Sequence, residues 1–321
     1  MSGRSGALSY VGKRVLGAAP TLAIVAVLVF GLIRMIPGDP AQVMLGDAGD
    51  PQAVAALRAQ MGLDRPLPLQ FVAWLGHALR GDLGVSIATG EPVLPLILQR
   101  FQVTASIVIS AIALATLIAI AGGLLAAWRH RRGLDQAVVG LATLVMAIPS
   151  FWLGLMLLLV FGVKLQWLPV VGYVPLAEHF RAGLTYLVLP VATLVVVESG
   201  VLIRMMRTSA LDVLRLEYVT HARAKGLSEA RVLLRHVLPN AFAPTLTLVG
   251  LALGHLLGGA AVIETVFTLP GLGRLVVDSI LARDYPVVQG CLLFAAVAYV
   301  LVNLAVDLCY PLLDPRVTAE G

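Results

Sequence analysis

Six long apolar runs alternate with shorter polar intervals along the chain: Val15 to Ile36, Val103 to Trp128, Gln136 to Val163, Tyr186 to Met206, Ala241 to Phe267 and Pro286 to Tyr310. A helix rises about 1.5 Å per residue, so about 20 apolar residues cross a bilayer core. Each run meets that length, which predicts an all-α integral membrane protein with six transmembrane helices. Prolines interrupt several runs: Pro20 near the start of the first, Pro149 inside the third and Pro190 inside the fourth. Pro37-Gly38-Asp39-Pro40 ends the first run abruptly.

Residues 37–102 form a non-membrane insert between the first two spans. Asp50-Pro51 is a helix start, an N-cap followed by proline at the first helical position. Val54, Leu57 and Met61 follow at helical spacing and Gly62 closes the helix. Arg65-Pro66-Leu67-Pro68 reads as extended. Phe71, Trp74, Leu75, Ala78 and Leu79 then predict a second amphipathic helix, closed by Gly81. Two small helices on the bilayer interface, with Trp74 as an anchor, satisfy this pattern.

The longest charged interval in the second half runs from Glu217 to Pro239, between two apolar runs. Gly226 reads as a helix stop, Ser228 as a helix start, and Pro239 as the stop of the next turn. Two short helices at an angle result. Arginine-rich loops beside a membrane often only fix topology and touch anionic lipid. The turn Arg129-His130-Arg131-Arg132 shows how few residues that needs. The longer interval, with Leu216, Val219 and Leu227 among its charges, predicts a surface that fits a partner.

Composition narrows the class. The chain has 321 residues, 59% hydrophobic and 13% charged, against about 25% charged in soluble domains. The net charge of +5 reports topology and does not call for nucleic acid. Six spans place both termini on one side. With them lie Arg4, Lys13 and Arg14, the Arg129–Arg132 turn, the basic residues from Arg204 to Arg235, and Arg316; the opposite short loops hold only Lys164, Arg181, Arg274 and Arg283. The positive-inside rule therefore puts both termini and the charged interval in the cytoplasm. Cys291 and Cys309 share the last run too far apart for a disulfide.

The chemistry of a self-powered machine is missing. With three lysines in the chain and no Gly-Lys-Ser/Thr end, no phosphate-cradling loop is present. There is no His-Glu-x-x-His zinc pattern and no Gly-x-Ser-x-Gly elbow; Ser199 and His255 are the only remote pair for an intramembrane hydrolase. No metal ligand set is read. Glu198, Glu264 and Asp307 fall within the runs. Intramembrane carboxylates face a bundle interior or a water-filled path. Glu264 and Asp307, near span ends, read as structural. Glu198 lies deeper, and either packs by hydrogen bonds or lines a path. A proton-coupled secondary transporter, in which Glu198 titrates, is the alternative from a different class.

The charged interval resembles the "EAA" loop of ABC importer permeases, in which Glu-Ala-Ala is followed by Gly and then by a hydrophobic residue and Leu-Pro. Ala222, Gly226, Leu238 and Pro239 fall at the family spacing; Thr220, His221 and His236 depart from it. Thr220-His221-Ala222-Arg223-Ala224-Lys225-Gly226 is similar to the peptide and nickel branch. Pro37-Gly38-Asp39-Pro40, the run from Gly62 to Pro68, Gly81-Asp82-Leu83-Gly84, the run from Ile148 to Gly154, Glu264-Thr265-Val266-Phe267 with Pro270-Gly271-Leu272-Gly273, and Leu313-Asp314-Pro315-Arg316 extend the resemblance over nearly the whole chain. It looks like the first permease of a dipeptide or oligopeptide importer, with a nickel or nickel-chelate permease as the alternative.

The resemblance implies a type I ABC importer permease fold in the cytoplasmic membrane. Its parts would be a cytoplasmic N-terminus at 1–14, a first span at 15–36, an extracytoplasmic helical insert at 37–102, a five-span core at 103–311 and a cytoplasmic tail at 312–321. A coupling loop at 207–240 would seat its short helix, around Glu217 to Lys225, in an ATPase groove through Glu217, Tyr218, Thr220, His221, Ala222, Arg223, Lys225, Gly226, Leu238 and Pro239. The implied partners are a second homologous permease, two cytoplasmic ATPases and an extracytoplasmic binding protein, which the insert would meet. No cofactor is expected on this chain, since ATP and magnesium belong to the ATPases. Glu198, His255 and Glu264 are the path candidates.

Overall fold

The computed structural model describes residues 2–35, 41–42, 50–60, 62–176 and 178–313. The motif at 37–40, Met61 and the tail from 314 lie outside the described residues, as do the side chains of Arg4, Lys13, Arg14 and Leu57. The described helices are α1 (Ser2–Met35), α2 (Pro51–Gln60), α3 (Leu67–Ala78), α4 (Val93–Trp128), α5 (Gly133–Met146), α6 (Ser150–Leu157), α7 (Phe180–Leu214), α8 (Glu217–Ala224), α9 (Glu229–Val232), α10 (Leu238–Gly259), α11 (Ala261–Val266), α12 (Leu272–Leu281) and α13 (Tyr285–Leu313). π-helical turns extend α6 over Leu158–Lys164 and join α9 to α10 over Leu233–Val237.

Among the described residues, four helical stretches are long and apolar enough to cross a membrane: Val93–Trp128, Phe180–Leu214, Glu229–Leu257 and Tyr285–Tyr310. The expected third span is not one rod. Gly133–Met146 and Ser150–Lys164 meet at a 97° bend. Pro149 precedes the second half in extended backbone (ψ 134°), because proline lacks the donor and the clearance that a continuing helix needs. The first expected span appears as a shorter apolar stretch, Leu16–Leu32, within α1, so the segment before Val15 is helical as well. The second starts at Val93, not Val103. Pro270-Gly271-Leu272-Gly273, expected as a loop, opens the amphipathic α12.

In the insert, Asp50 caps α2: its carboxylate accepts the Gln52 N–H at 3.2 Å, and Gly62 ends the helix at φ +66°. Of the stretch expected to be extended, Pro66 is so, with ψ 140° at the N-cap of α3, whereas Leu67 and Pro68 enter the first turn of that helix, where no donor is missed. Phe71 and Trp74 pack on Phe30 of α1, with ring centroids 5.4 and 5.7 Å away. Trp74 therefore joins insert to span.

The core lies between α4 and α7, the most extensively paired helices, with α10 and α11 closing it through Val249, Leu256 and Ile263. Small residues set the approach. A Cβ on Gly123 would sit 2.7 Å from Met206, and one on Gly250 2.6 Å from Val306, the close backbone contact that drives helix association in lipid.

Candidate functional site

The charged interval folds into an elbow. α7 ends at Leu214, the chain turns at Arg215-Leu216, and α8 leaves it. α8 closes with a Schellman pair: the Gly226 N–H donates to the Arg223 carbonyl at 2.9 Å and the Leu227 N–H to the Ala222 carbonyl at 3.4 Å. This places Gly226 at φ +77°, the left-handed region that glycine enters without strain. Ser228 then starts α9, although its hydroxyl makes no capping hydrogen bond.

Pro239 does not stop a turn. It sits in the first turn of α10, in helix that runs without a break from Glu229 to Leu257. The π turn ahead of it shifts the bonding pattern, so the hydrogen bond that proline cannot make is skipped. The His236 carbonyl accepts the Asn240 side-chain amide at 2.9 Å and the Tyr218 hydroxyl at 3.4 Å. Burial raises the Tyr218 phenol above its ordinary pKa.

The elbow has its own apolar footing. Val219, Ala222, Val232 and Val237 are buried against Leu124 and Ala127 of α4 and Met206, Ala210 and Val213 of α7. Val219 was expected among the partner-facing groups; it faces inward, as helical spacing from Ala222 requires, while Leu216 stays 47% exposed. Glu217, Tyr218, Thr220, His221 and Lys225 form the exposed face. The sequence-predicted residues thus divide. Those five are offered to solvent, whereas Ala222, Gly226, Leu238 and Pro239 shape the elbow. Arg223 is occupied by Glu229, at 2.9 and 3.1 Å.

Beside the elbow lies a pair that no sequence signal announces. Asp135, 3% exposed at the start of α5, accepts Nε and Nη2 of Arg207 at 2.5 and 2.8 Å and the Arg131 N–H at 2.9 Å. His130 Nδ1 stands 3.3 Å from the same carboxylate. This two-pronged contact ties the kinked span to α7 just before the elbow.

The intramembrane candidates separate as well. Glu264 is fully buried and consumed. The Thr104 hydroxyl donates to it at 2.5 Å and the Arg274 N–H at 2.9 Å, while Thr104 itself accepts the Leu272 N–H at 2.8 Å. The Gly273 N–H also reaches the carboxylate. Glu264 and Thr104 together cap α12, and Gly271 has no room for a Cβ against that carboxylate. In this conformation Glu264 meets no open path. Asp284, 2% exposed, does the same for α13 and holds the insert: it accepts the Ser86 hydroxyl at 2.5 Å and the N–H groups of Ile87 and Ala88, each at 3.2 Å. Glu198 on α7 is half-buried, and His255 is exposed on α10. Asp307 lies beside a groove between α1 and α13 with Thr21 and Asn303.

Comparison with known proteins covers nearly the whole chain. The family described as "Binding-protein-dependent transport system inner membrane component" matches residues 119–319. Its companion, "Binding-prot-dependent transport system membrane comp, N-term", matches residues 7–108. A probable peptide ABC transporter permease protein of Sinorhizobium fredii is 40% identical over 308 residues, 96% of this chain and 98% of the relative. A putative peptide transport system permease protein of Brucella suis is 42% identical over 305 residues, 95% and 97% of the two chains. The glutathione transport system permease protein of Escherichia coli is 43% identical over 311 residues, 97% and 99% of the two chains. With its apolar helices, its elbow and these matches, the chain belongs to the family of inner membrane components of binding-protein-dependent transport systems, as a membrane-embedded ABC transport permease.

Proposed function

We propose that the chain is the transmembrane permease subunit of an ATP-driven importer that moves di- or oligopeptides across the cytoplasmic membrane. It works with a second, similar permease, two cytoplasmic ATPases that carry ATP and magnesium, and an extracytoplasmic binding protein. The names of the relatives, peptide and glutathione permeases, support the cargo class. The basic elbow supports a topology with both termini and α8 in the cytoplasm and the α2–α3 insert outside. In that arrangement α1 and the kinked α5–α6 pair complete six spans with the four long helices. Glu198 and His255 line the path, while Glu264 anchors α12.

One observation carries the proposal. Glu217, Tyr218, Thr220, His221 and Lys225 are exposed on a short helix whose opposite face is locked into α4 and α7. Such a helix transmits a push from a docked motor into two long helices at once. In vesicles holding the whole assembly, uptake of a labelled dipeptide should need ATP on the elbow's side and binding protein on the other. A cysteine at Thr220 should cross-link to an ATPase. Uptake by the purified chain alone, driven by a pH gradient, would overturn the proposal.

A further inference from the structure

Where α4 ends beside α9 and the π turn, the surface folds into an apolar groove of about 280 Å³. Leu124 and Leu233 form its floor, 5% and 9% exposed. Leu125, Trp128 and Leu234 form its walls, 40%, 39% and 60% exposed, and Ala230 stands at its edge. Exposed apolar groups at the end of a spanning helix, with a tryptophan among them, sit at the boundary between hydrocarbon and headgroups.

The rim carries the opposite character. The Arg129 guanidinium lies 4.3 Å from the centre of the Trp128 ring, and Arg131 and Arg132 follow it in the same turn. Among the described residues, none of these three guanidinium groups is ion-paired with a carboxylate. The acid nearest in the chain, Asp135, is buried and held by Arg207. Glu229, on the far rim, is held by Arg223. Both neighbouring carboxylates are thus already paired, Asp135 inside the fold and Glu229 at the surface, and the mouth of an apolar groove is left cationic. The groove has room for a hydrocarbon chain but little for a helix about 10 Å across.

We propose that this groove holds one anionic phospholipid, with an acyl chain between Leu124 and Leu233 and the phosphate against Arg129. Basic recesses between helices at the membrane surface bind headgroups in this way. A lipid seated there braces α4 against α9, and α9 is tied to α8 through Glu229 and Arg223. The site needs only a membrane location, so it stands apart from the choice of cargo.

The test uses the complete transport assembly, stripped of lipid and offered phosphatidylglycerol or phosphatidylcholine, with retained lipid counted by native mass spectrometry. The wild type should retain phosphatidylglycerol at one saturable site per chain, in preference to phosphatidylcholine. Ala230→Trp, which fills the groove from an exposed position, should lose that site. Arg129→Gln, a surface change that leaves the apolar floor intact, should weaken the preference about fivefold. Equal retention by wild type and Ala230→Trp, or no preference between the two lipids, would overturn the proposal. So would a cysteine at Leu234 that cross-links to a partner subunit, since the groove would then be covered by protein. Lipid retention is read without transport, so failure here and failure of the peptide-importer proposal are distinguishable.

Discussion

Towards its two ends, α4 treats polar groups in opposite ways. At Thr104 a hydroxyl, a carboxylate and three backbone N–H groups satisfy one another, and Glu264 has no surface left. Twenty residues on, about 30 Å along the helix, Leu124 and Ala127 support an elbow whose polar side chains point outward. The first end is closed and joins helices of its own chain. The second is packed beneath and open above. A charged residue in a membrane protein is therefore informative through what it touches, since Glu264 and Glu217 carry the same group to opposite ends.

The contrast can be broken by substitution. Glu264→Leu should do most damage, because it strands the Thr104 hydroxyl and the α12 N–H groups; a loss of about 3 kcal/mol or more is expected. Thermal unfolding of the purified chain should show it, with Glu264→Gln intermediate because one acceptor oxygen remains. An unchanged midpoint for the leucine variant would mean that this end is not closed. Arg207→Met should cost about 3 kcal/mol by leaving Asp135 buried and unpaired, and adding Asp135→Leu should recover most of it. Recovery in the double-mutant cycle separates a lost pair from lost packing.

Gly226→Val sharpens the comparison at the open end. Nothing lies within 4 Å of a Cβ there, so the cost is backbone strain alone, about 1–2 kcal/mol. Transport should fall further than membrane abundance, since α9 would leave α8 at the wrong angle. Undiminished uptake at normal abundance would remove the docking role. His221→Ala should be the mildest, within about 0.5 kcal/mol of wild type in stability. Cargo-stimulated ATP hydrolysis by the assembly should nevertheless drop. A large stability loss instead would show that His221 belongs to the footing.

Local features were legible in the sequence to the extent that their cause is local. The start of α2 at Asp50-Pro51, the stop at Gly226 and the start of α9 after Ser228 each depend on one or two residues whose backbone preference decides the turn. Pro239 and Pro68 were misjudged because proline both ends and begins helices; the preceding π turn decides the first, and the first-turn position decides the second. Pro149 was visible, but whether a proline kinks a helix or breaks it depends on the packing around it. α12 was hidden by its Pro-Gly-x-Gly opening, because its cap comes from Glu264 and from Thr104 on another helix. Asp135 and Arg207 stand 72 residues apart, and nothing in either neighbourhood points to the other.

The right-angle break at Pro149 has a mechanical consequence. α7, with 35 residues, is an unbroken bar of about 52 Å, so displacement at its foot reaches its head. α5 has 14 residues, about 21 Å, and ends in a joint. Pulled through Arg207 and Asp135, it would swing about that joint and not drive its far half like a piston. A displacement applied at the elbow would thereby become a translation in one helix and a rotation in its neighbour, and the gap between them would change shape as well as width.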